Sequence, residues 1–252
     1  MRWAVRRKPS KSSASRAPGS GSRRRRRGPS PADEAQSPDG LVRRLGALPA
    51  SVVYDALRKL GVDNPALPAA IKSLTPPTRI AGRVFTVSGR EKPGLDRDET
   101  LRAWAKLLSE IPPGCVVVCQ PRTHGIALMG ELSAKALKVK GVAGYVVDGA
   151  CRDLELVERV GLAVFGTHAT PADIAGRWLP DRRRGRVVIG HCAVEDGDYL
   201  IADRDGVVII PSATAGEAIA EAEAMSGTES DMRKAIGAGM DPLQAYLKHG
   251  KF

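Results

Sequence analysis

The chain has 252 residues, 42% of them hydrophobic, and its 39 basic residues outnumber 28 acidic ones for a formal charge of +11. All of that excess lies in residues 1–30, which hold eleven Arg or Lys and no acid, so residues 31–252 are electrically balanced and the high pI describes a tail, not a basic groove for nucleic acid. The length suits one large domain or two small ones, and the chain shows neither the ~18-residue apolar run of a membrane span nor the apolar stretch of a secretory signal.

Taken from its start, the Arg- and Ser-rich segment 1–40 is too poor in apolar residues to build a core and is predicted to be a disordered, solvated tail. Its composition also fits an organellar transit peptide, and any contact it made with nucleic acid would be non-specific and salt-sensitive. The folded domain is expected over 41–252. Ser51 reads as an N-cap for a helix carrying Val52, Val53, Ala56, Leu57 and Leu60, with Gly61 as its stop. A strand is predicted over 82–88. Asp98 is expected to cap a second helix, whose stripe is Leu101, Trp104, Ala105 and Leu108 and which Pro112 and Pro113 end.

A buried strand follows at 115–119, then a helix at 131–139, an almost wholly apolar strand at 142–147, a helix at 154–160 and a short strand at 162–165. Such alternation implies parallel pairing in a covered sheet. From Arg186 the rhythm changes to strands joined by short turns, at 187–191, 199–202 and 207–210, with Asp203-Arg204-Asp205-Gly206 as a hairpin turn. Helices are predicted over 213–224, 227–236 and 242–248. The expected class is α/β, one domain of mixed parallel and antiparallel character.

The four cysteines, Cys115, Cys119, Cys151 and Cys192, have no Cys-x-x-Cys spacing. Cys115 and Cys119 would sit about 13 Å apart on an extended strand, too far for a disulfide. All four are expected as reduced thiols in a cytoplasm-like compartment, with Cys151 given some thiolate character by Arg152. No two of the histidines have ligand spacing, which argues against zinc. Lys135, Lys138 and Lys140 raise a Schiff-base mechanism, but they are expected on the wet side of their helix.

The segment Val-Val-Asp-Gly-Ala-Cys-Arg-Asp at 146–153 carries the chemistry. It sets a guanidinium and a carboxylate where a buried strand ends, and open α/β sheets bind ligands outside the carboxyl ends of their strands. Arg152 can clamp an anion through parallel hydrogen bonds, and Asp153 is a hard oxygen ligand suited to magnesium or manganese. Together they suggest metal-assisted chemistry on a small carboxylate. The plainer alternative is a surface pair capping the helix that starts at Leu154. Asp148 reads as a turn residue, and His124 could line the cleft.

Gly-Ile-Ala-Leu-Met-Gly at 125–130, Glu131-Leu132 and the stretch 141–153 resemble the RraA-like family, which includes 4-hydroxy-4-methyl-2-oxoglutarate aldolases and the regulator of ribonuclease activity A. Supporting stretches lie at 51–61, 161–165, 169–171 and 197–211. The resemblance implies a three-layer β/β/α fold of the swivelling-domain type with C-terminal helices, assembled as a homotrimer or a hexamer, with its active site in a cleft between subunits. It implies that backbone amides of Gly130, Glu131, Leu132 and Ser133 hold a 2-oxo acid's carboxylate, that Arg152 contacts the substrate oxygens, and that Asp153 anchors Mg2+ or Mn2+. It further implies a catalytic Glu229 contributed by a neighbouring subunit. Glu229 also completes a capping box, Ser226-Gly-Thr-Glu229, that would start a helix unaided. The expected function is a divalent-metal-dependent aldolase releasing pyruvate, with oxaloacetate decarboxylase side activity; the alternative is a non-catalytic regulator of ribonuclease activity that binds protein. The chain departs from the pattern at Leu156, where the family often carries an acid.

Overall fold

The structure, a computed structural model, describes residues 31–76, 79–92 and 94–250, without the side chains of residues 31–33 and Glu229. The expectations for the tail at 1–30 lie outside it. One helix, Pro31–Gln36 (α1), precedes the predicted start of order at residue 41, and a second, Pro38–Gly46 (α2), spans it. α2 begins behind Ser37, whose hydroxyl accepts the Gly40 amide at 3.1 Å, and it buries Leu41 and Leu45. In Ala50–Lys59 (α3) the cap position belongs to Pro49, so Ser51 sits exposed in the first turn instead of capping.

Lys72–Ser73 (β1) is a short edge strand, and Ile80–Glu91 (β2) is the longest strand. Arg97–Glu110 (α4) is capped by Asp96, which accepts the Glu99 amide at 2.9 Å. Asp98, the expected cap, lies in the first turn, where its charge suits the helix dipole and pairs with Arg102 at 2.6 Å. Then come Cys115–Gln120 (β3), Glu131–Val139 (α5), Gly144–Val147 (β4), Ala150–Cys151 (β5), Leu154–Val160 (α6), Val164–Gly166 (β6) and His168–Ala169 (β7). Trp178–Arg183 (β8), Val187–Ile189 (β9), Cys192–Val194 (β10), Tyr199–Asp203 (β11) and Gly206–Ile210 (β12) complete the strands.

The main sheet runs β1-β6-β4-β3-β2-β11-β12. β2, β3, β4 and β6 are parallel, as their helical crossovers require. β2 is long enough to share its other edge between two antiparallel partners, β11 along its first residues and β8 along its last. The two ends of the sheet nearly meet. Segment 65–67 pairs with β12, Leu67 donating to Val207 O at 2.9 Å and Pro65 O accepting from Ile209 at 2.8 Å, and the chain then enters β1 on the opposite edge.

Side-chain alternation sorts the core. On β3, Val116 and Val118 point inside the curved sheet with Val84, Val146, Phe165 and Leu200, and Ile189 and Val194 of the β9–β10 hairpin close that space. Cys115, Val117 and Cys119 point outward, under α4, α5 and α6. A strand buried on both faces reads as an unbroken apolar run, which is why β3 and β4 were legible. Elsewhere the outer face of β11 and β12 is covered by α2, α3 and the helix Ala215–Gly237 (α7), and Pro242–His249 (α8) packs on α7. The predicted break before Gly227 does not occur. One glycine costs about 1 kcal/mol in a helix interior, less than restarting the helix, and Thr228 donates back to Ala224 O at 3.3 Å. Ser226 is therefore no cap. The chain is a mixed α/β domain with a nearly closed mixed sheet and C-terminal helices.

Candidate active site

The polypeptide leaves β4 at Val147, turns through Asp148 and Gly149, and forms β5 before α6 begins. Loop 126–130 is laced to β5: Leu128 donates to Ala150 O at 2.9 Å and Arg152 to Met129 O at 2.8 Å. This stitching brings the start of α5 against the start of α6, so residues 130–133 and 152–153 face one another.

Asp153 holds the N-cap position of α6 in a left-handed conformation, φ 56° and ψ 35°, yet its side chain caps nothing in that helix. It leans instead to α5, where Oδ2 accepts the Glu131 amide at 3.3 Å. A non-glycine residue in this conformation is strained by about 1 kcal/mol or more, and aspartate is among the few that tolerate it. The simple capping pair is thereby set aside. Arg152 Nε lies 3.5 Å from Asp153 Oδ2, and its Nη1 lies 3.9 Å from Asp173 Oδ2. Both are long ion pairs between half-exposed groups, so the guanidinium keeps donors for a ligand.

Gly130, in extended backbone, precedes α5. A Cβ there would stand 2.9 Å from Asp153 Oδ2 and 3.1 Å from Arg152 Nε, so the absence of a side chain is what lets the pair close over the helix start. Ala134 is the first amide to donate back into α5, to Gly130 O at 3.0 Å. The amides of Leu132 and Ser133 precede it and, as at any helix start, have no carbonyl of their own helix to reach. Ser133 Oγ accepts the Trp104 indole at 2.9 Å, which fixes both side chains.

These groups line a cavity of about 440 Å³, together with Asp173 and an apolar wall from α4. Residues 130–133, Arg152 and Asp153 all reach it. Glu229 lies on α7, which packs on α2 and α3 against another stretch of the sheet, and its side chain lies outside the described residues. Leu156 stands at the mouth, 44% exposed. Asp173 was missed. It is held between Arg152 and Arg97, the latter at 3.5 Å, and follows by two residues the Thr170-Pro171 stretch singled out in the sequence.

Other candidates fall away. His124 is exposed, beside Asp148 at 3.3 Å and His168, and does not line the cavity. Cys151, expected to carry thiolate character, is buried, and burial, with a smaller contribution from Cys119, pushes its thiol up to about 12. The Lys138 amine donates to Gly161 O at 2.6 Å and that of Lys140 to Leu108 O and Ser109 O at 2.8 Å, while Lys135 opens on a different surface. None of the three lines the cavity.

The donor set suits a magnesium-type ion. No group of three or more His, Cys, Asp or Glu among the described residues is placed to cage a metal. Magnesium needs one or two carboxylates and keeps several waters, which Asp153 beside a polar, half-open cavity can accommodate. The room left by Gly130 keeps that carboxylate clear.

A nearly closed mixed sheet whose parallel strands end at an Arg-Asp pair, facing a glycine-led helix start, defines one class of protein. Residues 50–209 match the RraA-like family model, described as Aldolase/RraA, and the chain belongs to this family. It is 33% identical over 161 residues to the 4-hydroxy-4-methyl-2-oxoglutarate aldolase of Thermus thermophilus, a match spanning 64% of this chain and 93% of that one. A crystal structure of a Streptomyces coelicolor protein, called an unusual member of the RNase ES inhibitor RraA protein family, superposes with a TM-score of 0.69 at 28% identity, covering 77% of this chain and 96% of that one. An uncharacterized Pseudomonas syringae protein gives a TM-score of 0.76 at 27% identity, covering 83% and 94%. No helix among the described residues is long and apolar enough to cross a membrane.

Proposed function

We propose that this chain is a divalent-cation-dependent carbon–carbon lyase that cleaves 4-hydroxy-2-oxo acids of the 4-hydroxy-4-methyl-2-oxoglutarate type to pyruvate, with oxaloacetate decarboxylation as a side activity. The observation that carries the reading is the turn of Asp153 away from its own helix toward the start of α5, beside Arg152 and over Gly130. The substrate's carboxylate docks on the free amides of Leu132 and Ser133, where the helix dipole favours an anion. Arg152 is the fixed positive charge beside the 2-oxo oxygen.

Breaking the bond between C3 and C4 sends its electron pair toward C3 and the 2-oxo oxygen, while the 4-hydroxyl loses a proton and becomes the carbonyl of the second product. A cation held by Asp153 supplies Lewis acidity at that oxygen when bound. Glu131 and Asp173 are the remaining carboxylates of the lining; they take the hydroxyl proton and return one to C3, which completes pyruvate. Decarboxylation of oxaloacetate builds the same charge on the same atoms. We also propose a homotrimer in which a neighbouring copy brings Glu229 to this cavity, because α7 packs on α2 and α3 and not on the α5 and α6 starts that form the site.

The test is pyruvate release from 4-hydroxy-4-methyl-2-oxoglutarate, with EDTA and with magnesium restored. Loss of at least about 100-fold in kcat/KM is expected for Arg152→Ala and for Asp153→Ala. Turnover that survives EDTA would overturn the reading. A second reading, a protein-binding regulator of ribonuclease activity, is favoured by the likeness to the Streptomyces protein and by Leu156 at the cavity mouth. It predicts a folded chain that releases no pyruvate.

A further inference from the structure

We infer that Arg97 is a specificity-determining residue of this site: it receives the distal carboxylate of a five-carbon 2-oxo diacid whose first carboxylate and oxo group lie at Arg152 and the start of α5. The inference rests on the lyase reading above and deepens it, because that reading leaves the far end of its substrate without a partner.

The helix supplies the first observation. Leu101, Trp104, Ala105 and Leu108 of α4 line the cavity. Arg97 stands one turn before Leu101. Residues four apart share a helix face, so Arg97 carries the lining face outward past the half-exposed Leu101. That face therefore ends in a guanidinium at the rim.

The second observation is a shared oxygen. Asp173 Oδ2 lies 3.5 Å from Arg97 Nη2 and 3.9 Å from Arg152 Nη1, and Asp173 lines the cavity. The two guanidinium nitrogens thus stand no farther apart than those distances laid end to end. An extended five-carbon diacid joins its carboxylate carbons by four bonds of ~1.5 Å, about 5 Å end to end, which matches such a pair. The Arg97 side chain is 70% exposed, its contact with Asp173 is long, and it makes no other ion pair among the described residues. Most of its donors are left for a ligand.

Charge gives the reason for a second arginine. Among the described lining residues Arg152 is the one cation, against Glu131, Asp153 and Asp173. A diacid entering that field is repelled at its distal end unless another cation faces it. Arg97 meets the need, and its planar fork takes a carboxylate through two parallel hydrogen bonds. With both carboxylates held, the bond to be broken and the 4-hydroxyl fall between the two arginines, where Asp173 stands to take the hydroxyl proton.

Binding reads the assignment without turnover. Calorimetric titration of the full chain with magnesium compares 2-oxoglutarate with 2-oxopentanoate, which share a head and a chain length and differ in the distal carboxylate. The unmodified chain should bind 2-oxoglutarate at least about tenfold more tightly. Arg97→Ala should erase that ratio and Arg97→Lys should keep part of it, with the affinity for 2-oxopentanoate unchanged in both. Equal or tighter binding of 2-oxopentanoate by the unmodified chain overturns the inference. So does an equal loss for both ligands in Arg97→Ala, which would make Arg97 only a support for Asp173. In turnover of 4-hydroxy-4-methyl-2-oxoglutarate, Arg97→Ala should raise KM by about tenfold with kcat little changed, as for a contact made equally in the ground and transition states. Absence of pyruvate release by the unmodified chain, with the binding ratio and its loss in Arg97→Ala intact, would overturn the lyase reading alone.

Discussion

Adding one methyl group at Gly130 tests whether the placement of Arg152 and Asp153 matters to the chemistry. The backbone there, φ −147° and ψ −178°, is extended and open to alanine, so Gly130→Ala is not a conformational insult. Its Cβ would lie 2.9 Å from Asp153 Oδ2, 3.1 Å from Arg152 Nε and 3.2 Å from Arg152 Cγ. Restoring ordinary contact moves the carboxylate by about half an ångström. Both side chains are 40% exposed and flexible, so they can give way, and the stability change should stay within about 1 kcal/mol, or roughly 4 °C in Tm. Function should not be so forgiving. A displacement of ~1 Å at reacting groups can cost about 100-fold, and half of that implies roughly tenfold in kcat/KM. The assay is pyruvate release beside a thermal melt on the same preparation. Wild-type kcat/KM in a chain with an unchanged melt would refute the assignment of this pair to the site.

Two predictions concern the scaffold. Asp198 is buried and accepts the Glu195 amide at 2.9 Å through one oxygen and the Ser212 amide at 3.0 Å through the other. Asp198→Ala leaves both amides unpaired at about 1–3 kcal/mol each, so a loss of ~2–6 kcal/mol is expected in urea denaturation, and a loss under ~1 kcal/mol would mean that water replaces the carboxylate. Arg44 grips Glu223 at 2.9 Å and 2.7 Å, which joins α2 to α7 and holds the Glu223 carboxyl below its usual range, the side-chain hydrogen bond being the main cause. A lowered carboxyl pKa stabilises the fold above the unfolded value of about 4.3 and ceases to do so as pH falls through the folded value. Glu223→Gln should therefore cost about 0.5–1 kcal/mol near pH 7, screened by exposure, and close to nothing near pH 2.5; a difference independent of pH would exclude the ion pair as its cause.

The parts of the fold that were legible are those with local punctuation. α5 and α6 run over the residues the sequence predicts, because each is bounded by glycine or a turn and buries its apolar positions under a sheet. The parts that were not are set by distant partners. β8, whose Pro180, Asp181, Arg182 and Arg183 offer no apolar alternation, was not predicted. It is a strand because the long β2 leaves an edge free, and its charges suit an exposed edge. Likewise β1 has two residues and exists by pairing with β6. α7 runs through its own capping box because the next turn continues the helix at a smaller penalty than a fresh start.

The site divides along the same line. Arg152, Asp153 and residues 130–133 were readable because a short segment at a strand end carries them all. Asp173 was not, since only the closing of its loop against Arg97 and Arg152 gives the carboxylate a purpose. The α4 stripe is the more instructive case. Its spacing placed Leu101, Trp104, Ala105 and Leu108 on one face. Trp104 is buried, but Leu101 is not, and the stripe forms the wall of the cavity. Helical periodicity states which side chains share a face and says nothing of what covers that face.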